Sequence, residues 1–188
     1  SGALRITQEA LLGVTVNRVR VTTSGEVIAA AACSYKHSNP GYVVPEVFAC
    51  LVKMTTGGQV LTTGADGLPP RLPFPGGYAA PVFVTYVDAS ILSDGSTVFA
   101  FNCTNDTSGN LTQQRLSLCV TKALSSGAID SSYGANGYTI LPGDARCSPA
   151  SDRTVATGDE RGAFIAVFPC SGGVGTDSRY TAYRAARL

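Results

Sequence analysis

Gly25-Glu-Val-Ile-Ala-Ala-Ala-Ala-Cys33 contains four consecutive alanines and, read alone, is as good a helix as a strand. Two other stretches decide between them. Gly95-Ser-Thr-Val-Phe-Ala-Phe-Asn-Cys103 and Gly162-Ala-Phe-Ile-Ala-Val-Phe-Pro-Cys170 also place a Gly eight residues before a Cys. Their Val98, Phe99 and Phe101, and Phe164, Ile165, Val167 and Phe168, are the β-branched and aromatic residues that strands favour. The three copies together predict a strand that begins beside a Gly turn. Nearly every position in it is apolar, so both faces of its sheet need cover.

Working outward, Phe48-Ala-Cys50-Leu-Val-Lys53 matches Leu118-Cys119-Val-Thr-Lys122, and Tyr183-Arg-Ala-Ala-Arg187 stands in the equivalent place of the third copy. These are return strands, each closed by a basic residue. Arg18 to Thr22 and Val84 to Asp88 alternate as half-buried strands do and precede the first two copies. Turns follow at Gly58-Gln-Val60 and Gly127-Ala-Ile129, and again at Gly67 and at Gly134 to Gly137. The expected fold is all-β: three four-stranded, disulfide-bridged repeats of about 60 residues, propeller-blade-like or pseudo-threefold.

The third copy lacks the later turns, and the N-terminus supplies their look-alikes. Ser1-Gly-Ala-Leu4 is similar to Ser126-Gly-Ala-Ile129, and Gly13-Val-Thr15 to Gly137-Tyr-Thr139. The repeats are therefore expected at about 17–66, 84–137 and 148–188, the last completed by 1–16, within one domain spanning 1–188. Leu68 to Pro81, between the first two repeats, holds five of the ten Pro and is expected as a stiff insertion loop decorating one element, not as a domain boundary. Thr7 to Leu12 offers a short helical alternative.

The segment Gly127-Ala-Ile129-Asp130-Ser-Ser-Tyr133-Gly134-Ala-Asn-Gly137, together with Asp94-Gly95 before a β-rich run, resembles the delta-60 repeat signature. That resemblance implies tandem propeller-like blades of an extracellular or surface protein. Propellers usually take four to eight blades. With three, the chain is expected either to close on itself or to leave a blade that another molecule completes by adding a strand.

Six Cys, three Lys, one Met and no Trp in a Gly-, Ser- and Thr-rich chain suit a secreted β protein. The opening residues carry no signal-peptide pattern, so the chain reads as mature. Repeat symmetry selects the pairs Cys33 with Cys50 and Cys103 with Cys119, which leaves Cys147 for Cys170. Sequons at Asn102, Asn105 and Asn110 are expected in a surface loop as glycan sites.

Composition excludes several functions. Fourteen Lys and Arg against 13 Asp and Glu leave a net charge of +1 with no basic stripe, which argues against nucleic acid. No apolar run reaches the roughly 20 residues of a membrane span. Metal coordination is disfavoured by the absence of C-x-x-C and the presence of one His, His37. That same scarcity argues against a hydrolase: Cys33 lies four residues before His37, but its place in the repeat predicts a bridge. Gly173-Val-Gly175 fails the dinucleotide pattern and there is no phosphate loop. The carboxylates Asp88, Asp94, Asp130 and Asp144 are the remaining candidates for acid-base work, with Asp94 and Asp130 better explained as turn residues. No enzyme and no cofactor is expected.

Binding is then expected in the loops, with Tyr35, Tyr42, Tyr78, Tyr133 and Tyr180 as candidate contact platforms. The expected role is a secreted structural or adhesive module that joins copies of itself head to tail. The alternative is a monomeric glycan-binding module or a docking partner for another extracellular protein.

Overall fold

The computed structural model describes residues 11–36, 45–61, 69–79, 87–105, 116–143, 155–158, 164–171 and 181–187, the last three stretches as backbone. These residues are all-β, with no helix among them. Ten strands run in chain order: β1 (Leu11–Val21), β2 (Glu26–Tyr35), β3 (Glu46–Thr55), β4 (Val87–Ile91), β5 (Thr97–Thr104), β6 (Leu116–Ala123), β7 (Tyr138–Leu141), β8 (Val155–Gly158), β9 (Phe164–Ser171) and β10 (Thr181–Arg187). They form three antiparallel sheets ordered β1-β2-β3, β4-β5-β6-β7 and β10-β9-β8.

The four-alanine stretch is β2, and tertiary context overrides its helical propensity. Its register agrees with that of β5. Cys33 faces Phe48 as Cys103 faces Ser117, and Ile28 faces Lys53 as Val98 faces Lys122. The turns agree as well. Gly25, Gly58, Gly95 and Gly127 each donate an amide proton to the carbonyl three residues earlier and hold φ between 79° and 89°, the left-handed region that a Cβ disfavours. Leu61 N–H bonds Lys53 O at 2.7 Å just as Asp130 N–H bonds Lys122 O at 2.8 Å. In the third sheet Cys170 faces Ala182, so Arg184 falls two residues on, where the other sheets carry their second Cys.

Strand number departs from expectation, because the sheets have three, four and three strands. The fourth strand of the second sheet is β7, which sets Ile140 opposite Cys119. In the first sheet the matching place is held by Arg71, in a single bridge to Cys50, with Leu72 N–H bonded to Ala49 O at 2.9 Å. Pro69, Pro70 and Pro73 flank it without donors, which stops the ladder from growing. The segment expected as decoration is thus structural. Pro69, Leu72 and Pro75 are buried, Phe74 and Tyr78 pack on the core, and Ala79 exchanges two backbone hydrogen bonds with Thr104 of the second sheet.

A second correction concerns the N-terminus. Gly13 to Thr15, expected to complete the last repeat, pair instead with Ala32 to Ser34 inside the first sheet. β1 is long because it continues a ladder along the whole of β2. A bulge at Asn17, between Val16 and Arg18, shifts the alternation by one residue. As a result Val14, Val16, Val19 and Val21 all lie on the face of Cys33, Ala31, Ala29 and Val27. The other face turns to the second sheet, where Arg18 pairs with Asp88 at 3.2 Å and Arg20 donates to Ile91 O at 2.9 Å.

The core lies between the first two sheets. Ile28, Ala30 and Leu51 of the first meet Ala89, Phe99, Phe101, Cys103 and Cys119 of the second. Small Ala side chains on one wall accept the Phe rings of the other, which is how the alanine run is compatible with close packing. The opposite face of the second sheet, with Val98, Ala100, Leu118 and Val120, is equally buried, and β4 packs against β8 of the third sheet.

Candidate functional site

Among the described residues, two places stand open: a cleft beside the Pro-rich segment and the outer flank of β1. The cleft, of about 750 Å³, lies between Pro73 to Gly76 on one side and Ile129, Asn136, Tyr138 and Ile140 on the other. Tyr138 forms its floor. Its hydroxyl donates to Pro73 O at 2.6 Å and ties the segment to β7, while burial holds its phenol above the usual range. Asn136 stands at φ 55° in the turn leading into β7, and Gly137 follows where a Cβ would meet Ile129. The walls are mainly apolar, and the cleft brings together no nucleophile with a base.

The second place is β1. Among the described residues no strand pairs with its outer edge, and Leu12, Val14, Val16, Val19 and Val21 are exposed along it. Four of them, Val14, Val16, Val19 and Val21, form one row on this eleven-residue strand, a patch of the kind that marks contact surfaces.

The expected bridges Cys33–Cys50 and Cys103–Cys119 are present, each linking residues diagonal to one another across two strands. Cys147 lies outside the described residues, and so does the side chain of Cys170. Both bonds are compatible with an oxidising, extracellular compartment.

Other expectations are corrected. Asn102 is 2% exposed in the middle of β5, where no glycan has room, because it continues the inward face of Val98 and Ala100. Asn105 is exposed just past that strand, and Asn110 lies outside the described residues. Tyr35 is no platform either. It is 1% exposed, packs edge-on against Phe48, lies 4.1 Å beneath the Arg71 guanidinium and donates its hydroxyl to Pro69 O. Tyr78 is half-buried against the core, and Tyr133 has a buried hydroxyl whose pKa is raised by desolvation. Tyr42 and Tyr180 lie outside the described residues. Alternation along β2 and β5 was the available signal for both buried residues, since Tyr35 sits two positions beyond Cys33 and Asn102 two beyond Ala100.

The acids are structural. Asp94 and Asp130 occupy matching kinds of turn, accepting from the amide and hydroxyl of Ser96 and of Ser132, and those bonds hold each carboxyl below its ordinary range. Lys122 adds an ion pair to Asp130 at 3.5 Å. Asp88 is engaged by Arg18. Asp144 and His37 lie outside the described residues. Among the described residues no group of three or more His, Cys, Asp or Glu is arranged to hold a metal ion, and no helix is long and apolar enough to cross a membrane. Neither the protein-family models nor the curated proteins nor the solved structures give a match to this sequence.

Proposed function

We propose that this protein is a secreted structural or adhesive module of an extracellular assembly, joining copies of itself head to tail by strand complementation. The observation that carries the reading is the outer edge of β1, eleven residues long, lined with exposed valines and paired with no strand among the described residues. A soluble monomer usually blunts such an edge, since unpaired N–H and C=O groups beside apolar side chains recruit another chain. Two disulfides buried in the sheets suit a module exposed to an oxidising medium. The recurrent register of the three sheets supports a repeat origin, and with it the delta-60-like, propeller-like arrangement.

Light scattering coupled to size-exclusion chromatography of the unreduced chain tests the reading. Dimers or longer chains are expected, and a species of 19.3 kDa at all concentrations overturns it. The second reading, a glycan-binding module, draws on the cleft beside Tyr138, but the burial of Tyr35 and Tyr138 leaves it few stacking platforms. A glycan array that stays blank would remove it.

A further inference from the structure

Residues along an antiparallel strand alternate between turning their backbone groups to one neighbour and turning them to the other. In β7 the phase is set at Tyr138, which exchanges both of its backbone hydrogen bonds with Ala135, at 2.7 and 3.2 Å, on the side away from β6. Thr139 therefore turns to Val120 of β6, and Ile140 turns outward again. Among the described residues no other strand lies beside β7, and no backbone group bonds Ile140 on that side.

The open place has a definite cause. Ala135 and Tyr138 close a two-residue hairpin over Asn136 and Gly137, which would put Tyr133 opposite Ile140 if it ran on. It stops after one bridge. Gly134 turns the chain away at φ 57°, where any Cβ would meet Tyr138 O, and Tyr133 N–H bonds Asp130 O instead. The cleft opens at the vacated position: Ala135, Asn136 and Ile140 line it together, and Pro73 to Gly76 wall its far side.

We propose that this cleft binds a short extended peptide segment of a partner protein, one residue of which takes the position opposite Ile140. That residue accepts from Ile140 N–H and donates to Ile140 O, and the segment runs antiparallel to β7, in line with the arrested hairpin. Residues directly opposite share a face, so its side chain falls beside Ile129 and Tyr138 and is aliphatic. No residue lining the cleft is charged, and a charged side chain buried there would go unpaired, so the segment is uncharged. Pro142, two residues past Ile140, has no N–H to lengthen the ladder. A contact one residue long is too short to join the edges of two sheets and is enough for a loop or tail. The site is thus separate from the self-association proposed for β1.

Nitrogen-15 NMR of the full chain with the capped peptide acetyl-Thr-Ser-Thr-Leu-Thr-Ser-Thr-amide tests it. Millimolar peptide should shift the amides of Ala135, Asn136 and Ile140 and slow hydrogen exchange at Ile140. N-methylation of the central Leu removes the donor to Ile140 O and should weaken binding about tenfold, whereas N-methylation of either adjacent Thr, whose N–H points away from β7, should not. Gly76→Trp adds bulk to the wall where a Cβ meets no atom within 4 Å, and should abolish the shifts while the unbound spectrum remains that of the folded chain. The absence of a saturable shift at Ile140, an equal loss from methylation at Leu and at Thr, or undiminished binding to the folded Gly76→Trp chain would each overturn the proposal. Shifts confined to residues 11–21 would overturn it too, because the peptide would then be pairing with β1, and would leave the self-association reading standing.

Discussion

Replacing Cys33 and Cys50 together by Ala should destabilise the protein by about as much as replacing Cys103 and Cys119. The two bridges close loops of nearly equal length, with sequence separations of 17 and 16. In the chain-entropy description a loop of that size restricts the unfolded ensemble by about 3 kcal/mol. All four sulfurs are fully buried, and truncation to Ala leaves small cavities worth about 0.5 kcal/mol each. The expected loss is therefore about 4 kcal/mol per bridge, a shift of roughly a thousandfold in the folding equilibrium. Surroundings differ: one bridge packs with Ala31, Tyr35 and Phe48, the other within the main core beside Phe99 and Phe101. Urea titration of the two double variants, followed by circular dichroism, reads the difference directly. A loss below about 1 kcal/mol for both would refute the loop-closure reasoning. Losses that differ by more than about 2 kcal/mol would show that local packing, not loop length, sets the worth of each bridge.

Tyr138→Phe removes the hydroxyl that holds Pro73 O and should cost about 1 kcal/mol, loosening the Pro-rich segment; faster amide exchange at Leu72 and Ala79 would locate the effect. The phenols of Tyr133 and Tyr138 have folded-state pKa values raised above 10.0 by burial, so their contribution to stability is complete below that pH and is lost as the pH rises through the folded values. A urea midpoint that does not fall in that range, or falls equally in Tyr138→Phe, would contradict the assignment. Asp94 and Asp130 are held below 3.8, mainly by the hydroxyls of Ser96 and Ser132, so stability from these turns is present above that pH and declines as the pH drops through the folded values. Replacing both serines by Ala should raise the two carboxyl pKa values toward 3.8, which carbon-13 NMR titration would report.

Much of this architecture is legible in the residues because it is written in positions of small conformational choice. Glycine at the ends of hairpins, cysteine at a fixed distance and a basic residue closing the return strand recur in the sequence, and each corresponds to a turn, a bridge or a register in the fold. That the Pro-rich segment takes the place beside β3 in the first sheet was not legible, since proline suppresses the alternation by which a strand is recognised, and only one bridge, to Cys50, forms there. Nor was the length of β1. Its bulge at Asn17 interrupts the period of two, so Val16 and Val19 do not read as neighbours on one face. The candidate cleft was invisible for another reason: it is formed by Pro73 to Gly76 and Ile129 to Ile140, which meet only after the sheets stack.

The disulfides mark the sense in which the first two sheets are stacked. Cys103–Cys119 lies on the face of the second sheet that meets the first, and Cys33–Cys50 lies on the corresponding face of the first sheet, which points away from the second. The sheets are therefore stacked in one sense and are not paired face to face like the halves of a closed sandwich. Over β2 and β3 the outward face of the first sheet is buried, Ala31, Cys33 and Cys50 included. Only β1 extends beyond that cover, with Arg18 and Arg20 committed to the second sheet and its valines left facing solvent. Capping by polar residues was open to evolution at Val14, Val16, Val19 and Val21, because each is solvent-exposed and opposite residues that tolerate small partners. Valine at all four of these positions leaves an apolar row where polar residues had room, and it is on this row that the proposed self-association rests.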